Sequence, residues 1–140
     1  MQSKEKSNLV FVRLFPGENV NDKLKEACKI NKVKSAVVIS GIGQLKKAQV
    51  GYFRKKDDYN PQIFNKPMEI LSLTGNICTK ENDYLQHLHV VLGDEHKKAF
   101  GGHFVDGTVS VTAEIVILKS NINVKRTLNK KTGLYDLDLE

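Results

Sequence analysis

The run Thr108–Leu118 reads TVSVTAEIVIL. β-Branched residues dominate it, and such side chains lose χ1 freedom against a helical turn but fit a pleated strand. No Gly or Pro interrupts it, so it reads as one long strand. Upstream, Tyr84–Leu92 (YLQHLHVVL) and Met68–Leu73 (MEILSL) read the same way. The first is followed by the turn Gly93-Asp94-Glu95, the second by Thr74-Gly75-Asn76. Downstream, Ile122–Leu128 and Leu134–Leu139 flank Lys131-Thr132-Gly133, the pattern of a terminal hairpin.

Towards the N-terminus two more strands are expected. Ser35–Ser40 (SAVVIS) ends at Gly41-Ile42-Gly43, and Lys47–Arg54 follows it. The stretch Lys55–Pro67, with its charges, Asn and two prolines, reads as loop. Leu9–Phe15 is an apolar run broken by Pro16-Gly17. The period then changes: Val20, Leu24, Ala27 and Cys28 fall at i, i+4, i+7 and i+8, one face of a helix. Asn19 suits the N-cap, Asp22 the positive end of the helix dipole. The helix is expected over about residues 19–31. Residues 1–8 are polar and read as a short flexible end, with one domain over 9–140. Many strands and one main helix near the N-terminus give an α+β fold with a mostly antiparallel sheet.

The 140 residues are one domain's worth, and 40% hydrophobic with 27% charged is globular composition. No apolar run reaches the roughly 20 residues of a bilayer span, and Met1–Asn8 holds no apolar signal core. Cys28 and Cys78 are far apart and outside any CxxC pair, so they read as reduced, small core residues of a cytoplasmic protein. The net charge of +6 is spread in pairs such as Lys46-Lys47, Lys97-Lys98 and Lys130-Lys131. That favours polyanions without sequence preference. No Walker loop, GxSxG elbow or dinucleotide fingerprint is present.

Chemistry concentrates at His87-Leu88-His89. Side chains alternate on a strand, so His87 and His89 share one face while Leu88, Val90 and Leu92 face a core. At about 3.3 Å rise per residue their Cα atoms lie roughly 7 Å apart, close enough to converge on one cation. Gly101-Gly102 gives the backbone freedom to bring His103 toward the pair. Three imidazoles leave a fourth position on zinc open, as catalytic sites do. The same pattern also fits surface-facing or hydrogen-bonded strand histidines. His96, beside Lys97 and Lys98, reads as a surface residue. Glu69 and Glu114 on apolar strands are edge or solvent-face residues, or site carboxylates.

The order of motifs carries a family likeness. Arg13-Leu14-Phe15-Pro16-Gly17-Glu18 precedes the helix, then come Gly41-Ile42-Gly43, Met68–Asn76, His87-Leu88-His89-Val90, Gly101-Gly102-His103 and Thr112-Ala113-Glu114. This succession resembles the plants-and-prokaryotes-conserved (PPC) domain, a family also named for DNA binding, over roughly residues 9–120. The resemblance implies a trimer with sites near subunit boundaries. The fold is also similar to acetolactate decarboxylase, in which three histidines hold zinc. By that likeness His87, His89 and His103 are the metal ligands, and Arg13 and Glu114 are nearby polar candidates for catalysis. The sequence has no RGRP-like AT-hook, the segment that gives plant relatives their minor-groove contact.

Three functions follow as expectations. The first is a trimeric DNA-associated or regulatory module, binding DNA weakly and without sequence preference. The second is a zinc-dependent enzyme or small-molecule binder at the three histidines, with Arg13 holding a carboxylate. The third is a trimeric scaffold.

Overall fold

The computed structural model describes residues 1–139. Its elements run β1 (Gln2–Lys6), β2 (Leu9–Leu14), α1 (Val20–Ile30), β3 (Ser35–Gly51), β4 (Gln62–Phe64), β5 (Met68–Lys80), β6 (Asp83–Gly93), β7 (Ala99–Ser120), β8 (Val124–Leu128) and β9 (Tyr135–Leu139). All the named pairings are antiparallel, and α1 is the one α-helix among the described residues. The α+β expectation holds.

The seven-stranded sheet has the order β1-β2-β7-β6-β5-β3-β4, and β7 also pairs with β3. The strands β7, β6, β5 and β3 therefore close on themselves into a small barrel. One long strand makes this closure: β7 pairs with β6 over Ala99–His103, and from His103 onward with β3. β-Branched residues suit this continuous pleated run.

The barrel interior is the core. Val38, Leu45, Leu73, Ile77, Leu88, Val90, Leu92, Ile115 and Ile117 are all at most 2% exposed. Helix α1 adds Val20, Leu24, Ala27 and Cys28, its apolar face packing toward β2, β6 and β7. Fully burying a side chain such as Leu24 stabilises the fold by about 1.5–3 kcal/mol. The helix ends match the sequence reading. Asn19 caps the N-terminus by accepting the Asp22 amide at 3.1 Å, and its own Nδ2 donates to Asp106 on β7 at 2.6 Å.

Three local expectations are corrected. Gly41-Ile42-Gly43 does not end a strand; β3 runs through it to Gly51 with register shifts on both sides. Thr74-Gly75-Asn76 likewise lies inside β5. These glycines serve close approach between strands rather than turning. Gly75 has φ +147°, and a Cβ there would lie 2.9 Å from the Leu88 Cα. Residues 1–8 are not simply a frayed end either, since Gln2–Lys6 pair along β2. The hairpin near the C-terminus is present as β8–β9, paired from Val124↔Leu139 to Leu128↔Tyr135.

Candidate metal centre

Two adjacent strands assemble the histidines. His87 and His89 project from β6 on the face opposite buried Leu88 and Val90. His103 arrives by strand pairing: it lies directly across from His89 in the β6–β7 register. The Gly101-Gly102 backbone makes no sharp turn; the two residues pair with Val91 and Val90 as ordinary strand. Gly102 matters for closeness instead, because a Cβ there would lie 2.6 Å from the Gly51 carbonyl oxygen of β3.

The three rings form a triangle with centroid separations of 5.3, 5.4 and 5.6 Å. One nitrogen from each lies within 4.8 Å of the other two. Zinc–nitrogen bonds of about 2.0–2.1 Å in tetrahedral geometry set ligand nitrogens roughly 3.3 Å apart. Side-chain rotation covers the difference, so the donor set fits a zinc ion. Burial, with Arg126 and His89 nearby, lowers the pKa of His87; burial, with His87 and His89 nearby, lowers that of His103. Both shifts favour neutral imidazole, the form that ligates metal.

The triad opens into a cavity of about 990 Å³. Its walls come from the segment after β3 (Tyr52, Phe53, Tyr59), from Asn76 of β5 and from the β8–β9 hairpin. The Tyr59 ring centroid lies 6.2 Å from that of His103. The hairpin is fixed over the sheet by Arg126, whose Nη2 donates to Asn76 Oδ1, and by Lys80, whose ammonium lies 3.6 Å from the Tyr135 ring centroid.

Arg13 and Glu114 do not join this cavity. They face each other across the β2–β7 ladder on an exposed face, and the Arg13 guanidinium lies 5.3 Å from the Phe15 ring centroid. Glu69 accepts a hydrogen bond from Gln44 at 2.7 Å, a surface pairing. His96 is exposed beside Glu95. Sequence reasoning missed Arg126, Gln86, Asn76 and Tyr59, all of which line the cavity. Asn76 ends the Met68–Asn76 motif but reads there as a turn residue, and the others sit in no motif; only the packing of strands and hairpin brings them to one cavity.

A small antiparallel barrel with an outward three-histidine cluster under a hairpin defines the class: an α+β domain with a candidate metal centre. The Plants and Prokaryotes Conserved (PCC) domain matches residues 1–121, and the chain belongs to that family. A candidate DNA-binding protein from Bacteroides thetaiotaomicron is similar at 27% identity and TM-score 0.91, covering 99% of this chain and 96% of that one. A metal-containing protein from Archaeoglobus fulgidus is similar at 28% identity and TM-score 0.82, covering 94% of each chain. The bifunctional protein GlmU of Synechococcus sp. (strain JA-3-3Ab) is 28% identical over 131 residues, 92% of this chain and 20% of that protein. The chain thus spans about a fifth of the length of the curated relatives it matches.

Proposed function

We propose that this chain is a metal-dependent small-molecule-binding protein whose centre, His87, His89 and His103, holds zinc. The observation that carries the reading is the convergence of three imidazole nitrogens within 4.8 Å at a cavity of about 990 Å³. Similarity to the metal-containing Archaeoglobus protein supports it. Bound zinc supplies a Lewis acid with an exchangeable position, able to polarise a carbonyl or activate water. The chain's own residues hold the three nitrogens and line the space beside them with the rings of Tyr52, Phe53, Tyr59 and Tyr135. The test is metal analysis of tag-free protein purified without chelator, followed by calorimetric zinc titration. His89→Ala should weaken zinc binding by at least about 100-fold, because losing a supporting residue alone costs 10–100-fold. Equal isotherms for both proteins would leave only a histidine cluster.

The working unit we infer is a cytoplasmic homotrimer. Leu9, Phe11, Val37, Ile42 and Leu118 share one outer face across β2, β7 and β3, with Phe11 60% and Ile42 51% exposed. A contiguous apolar face of this kind favours being covered by another copy. Arg13 and Glu114 lie on this same face, so the trimer would place them at a subunit boundary. The buried, unpaired cysteines fit a reducing compartment. Among the described residues no helix is long and apolar enough to cross a membrane. Light scattering that gives a monomer at micromolar concentration would refute the trimer.

Association with DNA is a second reading, favoured by the +6 charge and by the likeness to the Bacteroides protein. Three copies would carry a formal +18 and bind duplexes with strong salt dependence. Titrations on unrelated duplexes at several salt concentrations should show weak, sequence-indifferent binding. A preference for one sequence that survives physiological salt would refute this.

A further inference from the structure

Two turns from distant parts of the chain touch at the rim of the histidine cavity, and both carry cations. In the segment after β3, Arg54 leads into the turn Lys55–Asp58, where the Asp58 amide donates to the Lys55 carbonyl at 3.0 Å. In the β8–β9 hairpin, Lys130 and Lys131 occupy the turn Asn129–Gly133. There the Gly133 amide donates to the Asn129 carbonyl at 2.7 Å, and Asn129 Oδ1 accepts from the Lys131 amide at 3.0 Å. The turns meet where Lys56 Nζ donates to the Lys130 carbonyl at 3.4 Å and the Lys56 stem passes beside Gly133. Arg54, Lys55, Lys56, Lys130 and Lys131 are all exposed, and among the described residues none of them forms an ion pair. Of the carboxylates on these segments, Asp58 accepts from the Asn60 amide at 3.3 Å and Asp136 from Asn129 at 2.8 Å, while Asp57 is exposed. Like charges gathered on one surface repel each other, and a polyanion relieves that repulsion while releasing its own counterions.

The surface inside this rim is aromatic. Tyr52, 69% exposed, and Phe53 and Tyr59, each 37% exposed, line the cavity. The Phe53 and Tyr59 ring centroids are 5.5 Å apart, and Tyr59 leads on to His103 at 6.2 Å. A lipid surface takes up apolar groups that protrude and meets cations behind them. The order here is the reverse: the turns put forward Lys56, Lys130 and Lys131, and the rings line the concavity behind. A single nucleic-acid strand needs that order, with phosphates on outer cations and base faces on rings. A duplex keeps its base faces inside the stack, so it touches the cations alone.

We propose that this rim binds single-stranded nucleic acid, its phosphates on the two lysine-bearing turns and its bases on Tyr52, Phe53 and Tyr59. This rests on the reading of DNA association and narrows it to one surface and one form of the strand. Lys130 and Lys131 lie beyond the residues matched by the family, so half of the surface is this chain's own.

The probe is fluorescent oligo-dT of about twelve nucleotides, within the usual site size of single-strand binders. Anisotropy titrations use the full chain with chelator present, so that metal plays no part, and compare a duplex of the same length. Oligo-dT should bind saturably and at least about tenfold more tightly than the duplex. Tyr52→Ala should weaken oligo-dT at least about fivefold, the loss of one stacked base, and leave the duplex unchanged. Tyr52→Phe should retain the affinity. Lys130→Gln/Lys131→Gln should flatten the dependence of log K on log salt by about 1.4, at about 0.7 for each phosphate contact on a single strand. Lys4→Gln/Lys6→Gln removes the same charge from edge strand β1 and should leave the slope as it is. Oligo-dT bound no more tightly than the duplex, or equally by wild type and by both rim variants, overturns the proposal. So does rim-dependent binding to phosphatidylglycerol vesicles with no binding of oligo-dT. Duplex binding that the rim variants leave unchanged, with oligo-dT unbound, keeps the DNA reading and refutes this one; rim-dependent oligo-dT binding with the duplex unbound does the opposite.

Discussion

Gly75→Ala tests how tightly the strand geometry sets the candidate centre. Gly75 pairs with Leu88, between the Thr74↔His89 and Asn76↔His87 pairs, so it sits between the two β6 ligands. Its φ of +147° belongs to a region that L-residues avoid, and a Cβ would approach Leu88 Cα to 2.9 Å and the His87 carbonyl carbon to 3.0 Å. Favourable carbon contacts lie at about 3.5–4.0 Å, so the strands must part by about half an ångström or more. Backbone strain costs about 1–3 kcal/mol and overpacking about 1–3 kcal/mol more. The sum, about 2–6 kcal/mol, corresponds to a Tm loss of about 7–20 °C, since a chain this long loses about 0.3 kcal/mol per degree. Denaturant unfolding and calorimetry measure it. Zinc titration of the folded variant should show at least a tenfold loss, because moving β6 off β5 moves His87 and His89 together away from the register they share with His103. A variant within about 0.5 kcal/mol of wild type, with unchanged zinc affinity, would refute the claim that close strand approach at Gly75 sets the site.

Asn19→Ala should cost about 1–2 kcal/mol in denaturant unfolding, from the lost helix cap. Asn19→Asp should not restore it, because the new carboxylate would face Asp106, which now accepts from Asn19 at 2.6 Å; full recovery would show the Asp106 contact to be irrelevant. In metal-free protein the lowered His87 and His103 pKa values mean that the folded state binds fewer protons than the unfolded chain. Their cost is absent above the ordinary histidine value near 6.5 and grows as pH falls below it. Unfolding curves between pH 8 and 5 should show that decline, and it should flatten in the His87→Ala/His103→Ala double variant. Burial pushes the Cys28 thiol up to about 12, and Cys78 is fully buried, so a thiol reagent at pH 8 should label neither in the native protein and both after unfolding; fast native labelling would show that the core opens readily.

Helix α1 and its Asn19 cap were legible because the 3.6-residue period and the cap chemistry are local. The strand character of Tyr84–Leu92 was legible for the same reason, and with it the shared face of His87 and His89. Strand ends were less legible. Gly41-Ile42-Gly43 and Thr74-Gly75-Asn76 carry the composition of turns, but in the fold their missing Cβ atoms allow neighbouring strands to approach. The same letters serve either purpose, and only the partner strand decides which.

From the sequence alone came an α+β domain, the family likeness and a three-histidine candidate, because each rests on alternation, period or the order of short motifs. Tertiary structure decided how His103 reaches the pair, by lying across from His89 in a ladder that no local pattern encodes. It also separated Arg13 and Glu114 from the cavity and put Arg126 and Tyr59 beside it. Register joins residues far apart in the chain according to which strands bury their apolar faces together, and that choice is made by the whole core rather than by any one segment.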